Sequence, residues 1–145
     1  MIIIGEKING AIPSIKQAIA ERNEALIIER TLAQAAAGAN FLDCAPSTAT
    51  EIEYETMVWL IGLMQGATDV PLCIDSPNAK LLARVIEEGH LNKPGMVNSV
   101  NEEGDKCETI FPLIAGTPWE VVGLTCDQEG IPAAPAKKVD IAKRI

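Results

Sequence analysis

The sequence predicts an α/β chain of alternating strands and helices, with the strands parallel. Three observations carry this. Short apolar runs recur along the chain, each followed after a brief loop by helix signals. The segment after residue 78 has a clear helical period, with Leu81, Leu82, Val85 and Ile86 on one face and Lys80, Arg84, Glu87 and Glu88 on the other. Finally, 145 residues fit one ordinary domain, and no repeat, low-complexity run or linker divides them.

The elements follow in order. Residues 2–4 are an apolar first strand, and Gly5 to Gly10 form a loop. Pro13 opens a short helix through Ala20, because its fixed φ suits a first helical position. Asn23 caps a second helix carrying Leu26, Ile27 and Leu32, and Gly38 stops it. Residues 41–45 form a second strand with Asp43 near its end, followed by the small-residue loop Pro46 to Thr50. A helix over 51–65 carries Met57, Trp59, Leu60, Leu63 and Met64.

The most informative stretch is Pro71-Leu72-Cys73-Ile74-Asp75-Ser76-Pro77-Asn78. Apolar residues lead straight into an acid, and a helix start follows, with Ser76 as cap and Pro77 at the first helical position. Asp75 is therefore expected at the C-terminal end of a short buried strand. Pro94-Gly95-Met96-Val97-Asn98-Ser99-Val100-Asn101 repeats the arrangement, with a strand over 95–98 and Ser99 or Asn101 capping the next helix. That helix places Cys107, Ile110, Phe111 and Ile114 on one stripe, and Pro112 kinks or ends it early. Residues 120–125 form a fifth strand, and a last helix begins near Lys137. Polar groups at the carboxyl ends of neighbouring parallel strands are how an α/β barrel builds a site. Five strands fit either an open sheet or part of a barrel. Neither G-x-G-x-x-G nor a P-loop signature marks a doubly wound nucleotide fold.

Bulk properties narrow the function classes. Twelve basic and 20 acidic residues give a net charge of −8, which argues against nucleic acid or an anionic membrane as partner. No segment approaches the roughly 18 uninterrupted apolar residues of a membrane span. The N-terminal apolar run lacks a preceding basic segment, so it is read as a strand and not a signal peptide. Cys44, Cys73, Cys107 and Cys126 form no C-x-x-C pair and are read as reduced thiols of a cytoplasmic protein. The single histidine, His90, falls at a helix end beside Gly89, so no metal site is expected.

Taken together, Ile3-Ile4-Gly5-Glu6-Lys7-Ile8-Asn9-Gly10, Leu72 to Ser76, Val97 to Asn101, Phe111-Pro112-Leu113 and Gly123-Leu124-Thr125 resemble the methyltetrahydrofolate:corrinoid methyltransferases. These belong to the pterin-binding barrel group, with dihydropteroate synthase and the folate domain of cobalamin-dependent methionine synthase. The resemblance implies a (β/α)8 TIM barrel of the pterin-binding type, usually dimeric. Residues 1–145 are then the N-terminal part of a single barrel domain and hold about its first five βα units. It implies a transfer of the N5-methyl group between methyltetrahydrofolate, bound in the barrel mouth, and a cobalamin or other corrinoid carried by a partner protein.

Carried over residue by residue, Asp75 hydrogen-bonds the pterin ring, and Asn98 reaches N5 and is the catalytic candidate. The family's aspartate on strand six and asparagine on strand seven have no counterpart here. The second strand also departs from the family's Asp-x-Asn, reading Asp43-Cys44-Ala45-Pro46. The chemistry suits the residue types: a carboxylate accepts paired N–H donors, and an amide can donate or accept as N5 changes protonation. Asp43, Glu6, Asn9 and Ser99 complete the expected ligand-facing set. Each has a plain alternative: Asp75, Asn98 and Ser99 as helix caps, and Asp43, Glu6 and Asn9 as holders of loops. Asn101 is read as a cap, and the acidic helix faces as solvated surface. Two other functions stay open: a dihydropteroate synthase-like enzyme, weakened by a second loop lacking a Thr-Arg-Pro-like signature, and a non-catalytic truncated fragment that binds a partner half.

Overall fold

A computed structural model describes all residues, Met1–Ile145. Eleven elements alternate as expected: β1 (Ile4–Gly5), α1 (Pro13–Ala20), α2 (Glu24–Ala36), β2 (Phe41–Cys44), α3 (Thr50–Ala67), β3 (Leu72–Asp75), α4 (Ala79–Glu87), β4 (Met96–Val100), α5 (Lys106–Ile114), β5 (Glu120–Gly123) and α6 (Pro135–Arg144).

The strands form one sheet in the order β1-β2-β3-β4-β5, and every neighbouring pair is parallel. This order settles the choice the sequence left open. A doubly wound sheet reverses direction at a switch point and carries helices on both faces. Strands laid down consecutively through right-handed crossovers keep the helices on one face, and the twisted sheet curls around the other. The result is a curled, five-stranded half-barrel, consistent with part of a TIM barrel.

The main core lies between sheet and helices. Leu42, Cys44, Leu72, Ile74, Val97 and Val100 point outward to meet Ile27, Met57, Leu60, Leu82 and Ile110 from the helices. Burying one such large side chain contributes about 1.5–3 kcal/mol. The concave face has a separate, small apolar cluster: Phe41, Cys73 and Met96, with Ile4 and Val122 against it.

Two helix starts are as the sequence predicts. Pro13 begins α1, and Asn23 Oδ1 accepts from the Leu26 N–H at 3.2 Å to cap α2. Two others differ. Ser76 does not cap α4; Asn78 does, accepting from the Leu81 N–H at 3.2 Å, and Pro77 lies before the helix. The Ser76 hydroxyl is engaged elsewhere, donating to Glu53 and accepting from the Asn78 N–H, and Asn78 takes the cap. Likewise, neither Ser99 nor Asn101 caps α5, whose N-cap residue is Asp105. Ser99 belongs to β4, and Asn101 is held in the following loop, its Oδ1 accepting from the Glu103 N–H and its amide donating to Glu103 and to Cys126 Sγ. Helix α5 runs two residues past Pro112 and stops at Ile114. The first strand is Ile4–Gly5 and not residues 2–4; Ile2 and Ile3 are exposed, although the Ile3 carbonyl still accepts from Asn40 and Phe41.

One glycine fixes how closely β3 and β4 approach. A Cβ at Gly95 would lie 2.2 Å from the Leu72 carbonyl oxygen, so only a residue without one fits. No helix is long and apolar enough to cross a membrane.

Candidate functional site

Strand alternation sends every second residue to the concave face. In β2 these are Phe41 and Asp43; in β3, Cys73 and Asp75; in β4, Met96 and Asn98. The register then stacks them in tiers. Asp43 pairs with Cys73, and Cys73 with Met96, making one level. Asp75 pairs with Asn98, and Asn98 with Val122, making the next level toward the strand C-termini. A polar rim of Asp75 and Asn98 thus stands over an apolar floor of Phe41, Cys73 and Met96, and Asp43 enters that floor from the side. The Asn98–Ser99 peptide bond is cis.

The two aspartates have different surroundings. Asp43 is 1% exposed, and its Oδ1 is buried without a hydrogen-bond partner. Burial, then the like charges of Asp75 and Glu6, push its pKa up to about 7, while the Asn98 amide and the Cys73 thiol facing its carboxyl oppose the rise. Asp75 is half-buried, and its pKa is raised by burial first, then by Glu6 and Glu53. Burial and the neighbouring carboxylates also push the Cys73 thiol up, so it stays protonated. No lysine or arginine pairs with any of these acids: the chain's ion pairs lie elsewhere, at Lys80–Asp105, Arg84–Glu88, Lys93–Asp69, Lys106–Glu103, Lys137 with Asp127 and Glu129, and Arg144–Glu102, with His90 also beside Glu88. No group of three or more His, Cys, Asp or Glu side chains is arranged to hold a metal ion.

The remaining expected residues are placed less centrally. Glu6 is exposed, just beyond β1, and close enough for its charge to act on both Asp43 and Asp75. Asn9 holds loops: its Oδ1 accepts from the Ala11 N–H at 2.9 Å and from Ser47 Oγ at 3.3 Å. Ser99 is partly buried, next to Asn98, where the β4–β5 register shifts.

One residue was missed. Glu53 lies on an acidic helix whose charged face the sequence presents as solvated, yet it is buried and accepts from Ser76 Oγ at 2.6 Å. Ser76 also accepts from the Asn78 N–H at 3.0 Å. This pair therefore clamps the segment directly behind Asp75 to α3. The signal was present in the spacing: Glu53, Met57, Leu60 and Met64 fall on one helical stripe, the buried one. A cavity of about 420 Å³ lies apart from the site, between α1 and the start of α3, lined by residues including Lys16, Arg22 and Thr48.

Such an arrangement can hold a flat ligand whose N–H edge faces carboxylate oxygens and whose ring rests on apolar side chains. Among curated proteins, the chain is 49% identical over 145 residues to the methylcorrinoid:tetrahydrofolate methyltransferase of Eubacterium limosum, covering 99% of this chain and 53% of that protein. It is also 28% identical over 151 aligned residues to the methionine synthases of Mycobacterium tuberculosis and Mycobacterium leprae, covering all of this chain and 12% of each. No family model matches. The chain thus spans about half the length of the first of these relatives. The resemblance to the methyltetrahydrofolate:corrinoid methyltransferases therefore holds along the whole chain, as sequence similarity to a segment of such an enzyme.

Proposed function

We propose that residues 1–145 form the N-terminal part of a pterin-binding barrel domain that moves the N5-methyl group between methyltetrahydrofolate and a corrinoid protein. The observation that carries this is the Asp75–Asn98 pair, side by side in register at the strand C-termini, above an apolar floor and without a cation. Asp75 supplies acceptor oxygens to the donor edge of the pterin. Asn98 faces N5 and can accept from it when it carries a proton or donate to its lone pair when it does not. Phe41, Cys73 and Met96 support the ring and keep water from its lower face.

Asp43 and Glu6 add negative potential, which favours a protonated N5 over a neutral one. Protonation matters because a neutral amine nitrogen is a poor leaving group. The corrinoid, held by the partner protein, supplies the cobalt centre that exchanges the methyl group. Nothing in the chain's own residues needs to be a nucleophile: they bind, orient and tune the nitrogen. A cytoplasmic, dimeric enzyme acting with this partner fits the same reading.

Calorimetric titration with methyltetrahydrofolate tests this, on the wild type beside Asp75→Ala and Asn98→Ala. Saturable binding lost in both variants supports the assignment. Binding that survives in both places the ligand elsewhere and overturns it.

A further inference from the structure

Glu53 is a buried carboxylate that the proposed mechanism does not use. It is 6% exposed and sits in the first turn of α3. The same buried stripe otherwise carries Met57, Leu60 and Met64. No lysine, arginine or histidine forms an ion pair with it. Burying a carboxylate without a cation is costly, and an apolar side chain of similar size would fill the position without that cost. The aligned backbone dipoles at the start of α3 favour a negative group and offset some of it.

What Glu53 holds is specific. Its Oε1 accepts from Ser76 Oγ at 2.6 Å. Ser76 is itself 4% exposed, and it makes two further bonds. Its hydroxyl accepts from the Asn78 N–H at 3.0 Å, and its backbone N–H donates to the Asn98 carbonyl at 3.2 Å. Ser76 directly follows Asp75, and Asp75 stands in register with Asn98. One buried carboxylate thus reaches the backbone of both ligand-facing residues through a single intermediate. Its charge also acts on Asp75, whose pKa is raised by burial, by Glu6 and then by Glu53.

We propose that Glu53 is a positioning residue: through the Ser76 hydroxyl it fixes the backbone from which Asp75 and Asn98 face the barrel mouth. It touches no ligand. Its consequence for binding rests on the folate reading, whereas the link itself is a property of the ligand-free chain and is tested there.

Three variants separate alignment from packing. Glu53→Leu removes the acceptor and the buried charge, Glu53→Gln keeps an acceptor oxygen at the same size, and Ser76→Ala removes the donor. Hydrogen exchange of the backbone amide at position 76, followed by NMR in the ligand-free chain, reads the link. In Glu53→Leu this exchange is expected to rise about tenfold or more, while urea denaturation shows no matching loss of global stability. Glu53→Gln is expected to stay near wild type. Unchanged exchange in Glu53→Leu overturns the proposal, as does a rise that merely follows global stability. Where Glu53→Leu fails to fold, Ser76→Ala cuts the same link from the other side and must show a rise beyond its global destabilisation.

Calorimetric titration with methyltetrahydrofolate reads the consequence. Glu53→Leu is expected to weaken binding about tenfold, Glu53→Gln to recover most of it, and Glu53→Leu to add little in a Ser76→Ala background. Unchanged affinity in Glu53→Leu, or additive losses in the double variant, overturns the positioning role. A wild type that does not bind methyltetrahydrofolate sinks the folate reading alone, and the exchange measurement still decides the link.

Discussion

Replacing Asp43 with asparagine should make the protein more stable at high pH and leave it nearly unchanged in acid. In the unfolded chain this carboxyl ionises near 3.8, and in the folded protein near 7. Between those values the folded state holds a proton that the unfolded state has released, so stability falls as pH rises, and the loss is complete above about 7. At about 1.4 kcal/mol per pH unit, the interval corresponds to about 4 kcal/mol. A neutral asparagine of nearly the same shape does not carry this penalty.

Between about pH 5 and about pH 8.5, where roughly two thirds of the interval acts, Asp43→Asn should gain about 3 kcal/mol relative to wild type. Urea denaturation of both proteins across this range measures it. Taking the difference between them cancels groups whose titration the substitution does not alter, and equal m-values would show that the unfolded states match. A difference that is flat with pH, or that grows toward acid, would refute the reasoning: Asp43 would then be ionised in the folded protein through most of the range, and burial would not govern it.

Two further perturbations test the frame that holds the site. Gly95→Ala forces a methyl group to 2.2 Å from the Leu72 carbonyl and must separate β3 from β4, so a loss of at least 3 kcal/mol in denaturation is expected, with the Asp75–Asn98 register disturbed. Ser76→Ala leaves the buried Glu53 carboxylate without its 2.6 Å donor and should cost about 1–3 kcal/mol, whereas Ser76→Thr, which keeps the hydroxyl, should recover much of it in the same assay.

Much of this fold is legible because its signals are local. A run such as Leu72 to Asp75, broken by a proline, announces a strand end and places the acid there without knowledge of the rest of the chain. Pro13 and Asn23 act within one turn of helix and are read correctly for the same reason. Ser76 and Asn101 are misread because their hydroxyl and amide are claimed by distant groups, Glu53 on α3 and Cys126 beyond β5. The outward and inward strand faces follow from alternation, but the register that sets Asp75 beside Asn98 and Asp43 beside Cys73 is a property of the assembled sheet. The burial of Asp43, which separates it from Asp75, is likewise invisible until the floor of Phe41, Cys73 and Met96 is in place.

That separation is where stability and chemistry meet. An acid set level with Cys73 and Met96, with one oxygen unpartnered, weakens the fold at neutral and higher pH, and an apolar residue of similar size would not. Asp75, a tier higher and half-buried, also has its pKa raised, by burial first and then by Glu6 and Glu53. Two carboxylates on one face thus meet different surroundings, and the more deeply buried one, Asp43, is pushed to about 7. Asn98 stands in register with Asp75 and faces Asp43. On the proposed reading, this short parallel ladder meets the pterin edge with Asp75 and N5 with Asn98. A cation beside Asp43 would hold its carboxyl ionised and offset the effect of burial.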